Sequence, residues 1–203
     1  MTMSLKIICL MLFSILTSNV YSNEGQINRI EVLVNESAIT NYDIKQRMQI
    51  NAVLNRVEIN NDNYNQFLES VIEDLILEKL KKEKISEYKI NFGNDEFKKH
   101  KKRFYSNMNY DEVELKNLFS ANNINYDYLQ EFIEIELKWQ KLIYGLYLRV
   151  TSITDKEIDD LISKNPTLTR EMANEMILQK QIDIKSKKLI KDLREEATIE
   201  YKK

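Results

Sequence analysis

Apolar and polar residues alternate near the start of the chain and again at its end, and between these stretches apolar positions return every three or four residues. The first alternation, over 27–34, puts Ile30, Val32 and Val34 on one face and Arg29, Glu31 and Leu33 on the other, as a half-buried strand requires. Asn35 and Glu36 fit a two-residue turn, because Asn tolerates a positive φ, and 37–39 completes a small hairpin. Thr40 followed three residues later by Asp43 predicts a capping box, in which hydroxyl and carboxylate each take up a free backbone N–H at a helix start. A helix carrying Ile44 and Met48 to about Leu54 should follow.

A polar linker over 55–65 leads into the first long helix, where Phe67, Leu68, Val71, Ile72, Leu75, Ile76 and Leu80 recur at spacings of three and four. Gly93 and Asn94 interrupt the pattern, a shorter and strongly basic helix is expected over 95–106, and Asn109 is expected to cap another around Val113, Leu115, Leu118 and Phe119. From Asn125 the pattern becomes more apolar. Over 126–150, Gln130, Glu131, Glu134, Lys138, Lys141 and Arg149 occupy a polar arc, while Leu129, Phe132, Ile133, Ile135, Trp139, Leu142, Ile143, Leu146 and Tyr147 fill most of the rest. Such a helix is either central to the core or lends surface to a partner.

Thr154 and Glu157 repeat the capping-box pattern for a short helix to about Ser163, and 164–167 holds the single proline. The last helix is expected over 169–195 on a stripe of Leu178, Ile182, Leu189 and Leu193, and 197–201 alternates like a strand. A lone strand needs partners for its backbone groups. The other strands lie near the N-terminus, so the C-terminal strand should join the hairpin and tie the two ends together. The expected fold is mainly α: a multi-helix domain with a small antiparallel sheet.

The first 22 residues read as a secretory signal peptide, with Lys6 as a weak positive end, an apolar run over 7–16, and Val20 and Ser22 as the small residues of a cleavage site. Ten apolar residues fall short of the roughly 20 that a spanning helix needs, so no stable membrane anchor is expected after cleavage. Cys9, the single cysteine, would leave with the leader, which excludes a disulfide framework and thiol catalysis in the mature chain. One His, three Gly and one Pro in 203 residues argue against a large β fold and against most Gly-loop enzymes. With 30 Lys and Arg against 32 Asp and Glu, the chain has no excess of positive charge for nucleic acid.

Candidate chemistry is sparse. His100 lies within Lys98, Lys99, Lys101, Lys102 and Arg103, whose charge disfavours its protonated form, and it reads as an exposed residue on a solvated helix. Glu131, Glu134 and Lys138 have the spacing of surface pairs. Asp155, Glu157, Asp159 and Asp160 crowd a helix start, where negative charge is favoured. The sequence carries no metal-ligand spacing, nucleophile elbow or phosphate loop, so no cofactor, metal or catalytic residue is expected.

The order of RIEVLVNESAIT, FLESVIEDLILEKLKKEKI and YLQEFIEIELKWQKLIYGLYLRVTSITDKEIDDLI resembles the N-terminal module of the SurA-type periplasmic chaperones, and LIKDLREEATIEYKK is similar to that family's last helix and strand. The resemblance implies a module over 27–163, with 168–203 packing back on it. Family members usually carry one or two parvulin-type prolyl isomerase domains between these parts, whereas here 164–167 fills the interval, too short for a domain. The resemblance therefore implies a periplasmic, ATP-independent holdase for unfolded outer-membrane or envelope proteins, without isomerase activity. A residual isomerase, or an adaptor that binds one folded partner, are the alternatives. Phe104, Tyr105, Met108, Tyr110, Trp139 and Tyr144 are the large side chains expected either to contact clients or to pack in the core.

Overall fold

The computed structural model describes residues 28–202; the leader over 1–22 and Ile27 lie outside them. Strand β1 (Ile30–Val34) turns through Asn35, at φ 51°, into β2 (Ser37–Thr40). The register is antiparallel, with Val34 opposite Ser37 and an irregularity between Ile30 and Val32. Thr40 and Asp43 form the expected capping box, and helix α1 (Asn41–Asn55) follows. Arg56 in the left-handed conformation (φ 54°) ends it.

Helix α2 (Tyr64–Ser86) packs against α1 and buries Val71, Leu75, Ile76 and Leu80. Helices α3 (Asn94–Asn107) and α4 (Glu112–Ala121) are joined by a turn in which Asn109 sits at φ 56°. The cap of α4 is Asp111, whose carboxylate accepts the Glu114 N–H at 2.8 Å. Asn109 is therefore a left-handed turn residue, not the expected cap, a conformation that Asn adopts more readily than most residues. Helix α5 (Tyr126–Tyr147) is capped by Asn125 and tightens into a 3-10 turn over Leu148–Val150. It touches α1, α2, α3, α4 and a later helix, α7 (Arg170–Glu196). Its broad apolar surface is thus the centre of the core.

Helix α6 (Asp155–Lys164) starts at the second capping box, and residues 165–169 join it to α7. Arg170 at the start of α7 reaches back to Asp155 and Asp159 on α6, at 2.6 and 2.5 Å. After α7, β3 (Ile199–Tyr201) pairs antiparallel with β1, giving the order β2-β1-β3. The two ends of the described chain meet as the alternation requires. Asn35 pins the joint: its N–H donates to the Thr198 carbonyl at 2.8 Å and its side-chain oxygen accepts the Thr198 N–H at 3.0 Å.

Three apolar clusters hold these elements together. Val32, Val34 and Ile39 of the sheet pack with Ile44, Met48, Val71, Leu75, Ile76 and Leu80, and Ile190, Leu193 and Ile199 close over them. Leu115, Phe119, Leu129 and Ile133 form a second cluster with the end of α1. Ile135, Trp139, Leu142 and Ile143 of α5 meet Ile182 of α7 in the third. Two polar side chains are buried inside. Gln46 accepts the Asn125 N–H at 2.7 Å, fixing the start of α5 on α1. Arg47 pairs with Glu78 of α2 and lies 4.7 Å from the centre of the Phe132 ring, so one guanidinium links three helices.

Candidate functional site, an apolar groove beside the terminal sheet

The first cluster is not closed at its outer end. Between β1, the end of β3, α1 and the first turns of α2 lies a groove of about 640 Å³. Val32, Ile44, Met48, Ile59, Leu68 and Ile72 form its floor and walls, and Tyr64 and Tyr201 stand at its mouth. The local sequence explains the opening. The linker before α2 is mostly polar, and of its two aliphatic residues Val57 is 40% exposed and only Ile59 lines the groove, so little apolar side chain is available there to fill it. Tyr64 and Tyr201 remain 46% and 61% exposed, large areas for aromatic side chains beside a core.

The rim is charged. Arg29, Lys45 and Lys202 face Glu31, and the Arg29 guanidinium holds Glu31 at 2.8 and 2.9 Å. One end of the groove adjoins the capping box of α1, where Tyr128 donates to Asp43 at 2.8 Å. Burial pushes the Asp43 carboxyl up, but donation from the Thr40 N–H and hydroxyl and from Tyr128 outweighs it and holds the carboxyl below its usual range.

The six aromatic and methionine residues expected as client contacts fall elsewhere, in two groups. Phe104, Tyr105, Met108 and Tyr110 surround the end of α3. Tyr105 is 3% exposed and shares a hydrogen bond with the Tyr126 hydroxyl, while Phe104 meets Phe132 edge to face at 6.1 Å. Tyr110 donates to the Val53 carbonyl at 3.0 Å beneath the Arg56 guanidinium. Trp139 and Tyr144 line a second crevice, of about 400 Å³, between α5 and α7. Trp139 is 5% exposed and donates to Ser186 at 3.0 Å, and Tyr144 hydrogen-bonds Gln179. Tyr105 and Trp139 are thus core residues, whereas Phe104, Met108, Tyr110 and Tyr144 are half-buried.

The sequence reading missed the groove residues as a site, because Ile44, Met48, Leu68 and Ile72 lie in ordinary helical stripes. The available signals were Ile59 in a mostly polar linker and Tyr201 in the last strand.

His100 differs from expectation. It is half-buried, lines the crevice between α5 and α7, and lies 3.1 Å from Arg103 through Nδ1. Burial first, and Arg103 second, hold its imidazole below the ordinary value. Glu134 pairs with Lys138 at 2.6 Å as the spacing suggested, whereas Glu131 reaches across to Lys82 of α2 instead of pairing along its own helix. Among the described residues no cluster of His, Cys, Asp and Glu is arranged to hold a metal ion, and no helix is long and apolar enough to cross a membrane.

No family model and no curated protein matches the sequence. Among solved structures, the fold is similar to one from a study describing the virulence factor PEB4 and the periplasmic protein Cj1289 of Campylobacter jejuni as structurally related SurA-like chaperones. The identity is 18% and the TM-score 0.38, over 68% of this chain and 50% of that one. The match thus spans half the length of the neighbour.

Proposed function

We propose that this chain is an ATP-independent holdase that binds unfolded outer-membrane or envelope proteins in the periplasm of a double-membrane bacterium and aids their assembly. The observation that carries this reading is the groove: an apolar surface continuous with the first core cluster, open at its outer end and flanked by two exposed tyrosines. Tyr64 and Tyr201 suit variable clients, since exposed amphipathic side chains adapt to many sequences. An apolar surface of this kind favours extended chains that have not yet buried their own. The resemblance of the chain's segment order to SurA-type chaperones supports the same class.

In this reading 1–22 is a signal peptide cleaved after Ser22, and 23–203 is one chaperone domain. The five residues between α6 and α7 leave no room for a parvulin domain at its usual place, so the chain acts by binding and not by isomerisation. Phe104, Met108, Tyr110 and Tyr144 serve as secondary client contacts. In the decisive assay, an outer-membrane protein is diluted from urea and its light scattering followed. Stoichiometric chaperone should delay aggregation, and no delay at several-fold excess would refute the holdase. A protease-coupled assay on a proline peptide should give the uncatalysed rate; catalysis above it would restore the isomerase reading.

A further inference from the structure

We propose that the outer edge of β3 and the groove beside it form one docking site for an extended polypeptide, which pairs with β3 as a fourth strand and carries acidic residues beside its apolar ones. This rests on the holdase reading and supplies its binding mode.

The register shows which backbone groups are free. Lys202 donates its N–H to the Glu31 carbonyl at 2.8 Å, and Asn35 donates to the Thr198 carbonyl at the same distance. Residues 198, 200 and 202 therefore turn their backbone polar groups toward β1. In an antiparallel ladder the residues between them, Ile199 and Tyr201, turn theirs the other way. Sheet order ends at β3, and no hydrogen bond among the described residues reaches those outward groups. An open row of this kind is a template for one more strand.

The groove supplies the side-chain half of the site. Tyr201 stands opposite Val32 and so shares the face of the sheet that looks onto α1 and α2. A strand laid along β3 puts alternate residues on that face, toward Tyr64, Leu68 and Ile72. The volume of about 640 Å³ lies within the range of roughly 300–1,000 Å³ typical of pockets that engulf ligands.

The rim selects the flanks. Arg29, Lys45 and Lys202 face the single lining carboxylate of Glu31. Arg29 is engaged with Glu31 and Lys202 with Glu200, while Lys45 has no ion-pair partner among the described residues. The surplus is positive and lies at the mouth, where charge steers encounter and rejects like-charged partners.

The test uses the purified chain and two fluorescent ten-residue peptides that alternate Phe and Thr, one flanked by Asp and one by Lys. Binding is read by anisotropy. The Asp-flanked peptide should bind more tightly, with the difference shrinking in high salt, and Lys45→Glu should narrow or reverse the preference. Tyr201→Ala removes the side chain but keeps the outward N–H. Tyr201→Pro removes that N–H as well, at a position where no ladder bond to β1 is lost. The Pro variant should bind about fivefold more weakly than the Ala variant, the equivalent of one backbone hydrogen bond.

Equal binding by the two variants, or indifference to the flanks, overturns the proposal. So does a dimer through β3 that Tyr201→Pro dissociates in light scattering while the peptides do not bind, since the occupant is then a second copy. If the chain suppresses aggregation but these substitutions leave peptide binding unchanged, this site falls and the holdase stands. If it suppresses nothing, the holdase falls, whatever the peptides do.

Discussion

Removing one member of the Arg47–Glu78 pair should be among the most damaging polar substitutions in the molecule. The Arg47 side chain is 5% exposed and that of Glu78 12%, so neither charge can recover its hydration if the other is lost. An exposed ion pair contributes about 0–1 kcal/mol. A buried one behaves differently, because breaking it strands a charge in the interior, at about 3–5 kcal/mol. Arg47 also lies over Phe132 and bridges α1 to α5, so Arg47→Ala removes packing as well as charge. Against a typical total stability of about 5–15 kcal/mol, Arg47→Ala or Glu78→Ala should remove about a fifth or more. Replacing both together, Arg47→Met with Glu78→Leu, should be near neutral or stabilising, since the desolvation cost disappears with the charges. Urea unfolding followed through Trp139, the single tryptophan, reads all four proteins in one assay. If both single variants stay within about 1 kcal/mol of the parent, the pair acts as a surface bridge and the reasoning fails.

Other contacts make independent predictions. The Asp43 carboxyl is held below its unfolded value, so its contribution is present above the ordinary carboxylate range and is lost as pH falls through the folded value. Asp43→Asn should therefore destabilise at pH 7 by about 1 kcal/mol, with a smaller difference at pH 3, measured by thermal unfolding at both pH values. Ser186→Ala leaves the buried Trp139 N–H without its acceptor, and should cost about 1–3 kcal/mol and alter tryptophan emission. Asn35→Ala loses both the left-handed turn residue and the side-chain bond to Thr198, and should raise amide exchange in β3 before that in α5.

Local patterns carried most of the fold. Both capping boxes were readable because hydroxyl and carboxylate stand three residues apart, and both form. The terminal strand could be placed against the hairpin because unpaired backbone groups in a mainly helical chain have few other partners. The breadth of the α5 apolar surface left two readings, a central core helix or a surface lent to a partner, and its packing against α1, α2, α3, α4 and α7 makes it central. Asn109 was less readable: it and Asp111 are both good cap residues two positions apart, and the choice depends on the turn between α3 and α4. His100 was placed on the surface by its charged neighbours, but burial follows from helix orientation, which turned it toward α5.

The candidate site was harder to read than the fold. Size and aromaticity singled out Tyr105 and Trp139, and both turn inward because a buried Tyr or Trp can satisfy its polar atom within the core. Groove residues such as Leu68 and Ile72 have the same periodicity as residues that are fully covered. What separates them is how β1, β3, α1 and α2 come together around the groove, a property of packing between distant segments.

If unfolded clients lie in this groove, a probe at its mouth should touch them. The most direct measurement places a photoreactive phenylalanine analogue at Tyr64, at the mouth of the groove, or at Val113, exposed on α4 and outside it. Each protein is irradiated with a urea-diluted outer-membrane protein, and adducts are quantified. Strong crosslinking is expected from position 64 and little from position 113, abolished at 64 when the client has folded. Equal labelling from both positions, or none from position 64, would contradict binding in the groove.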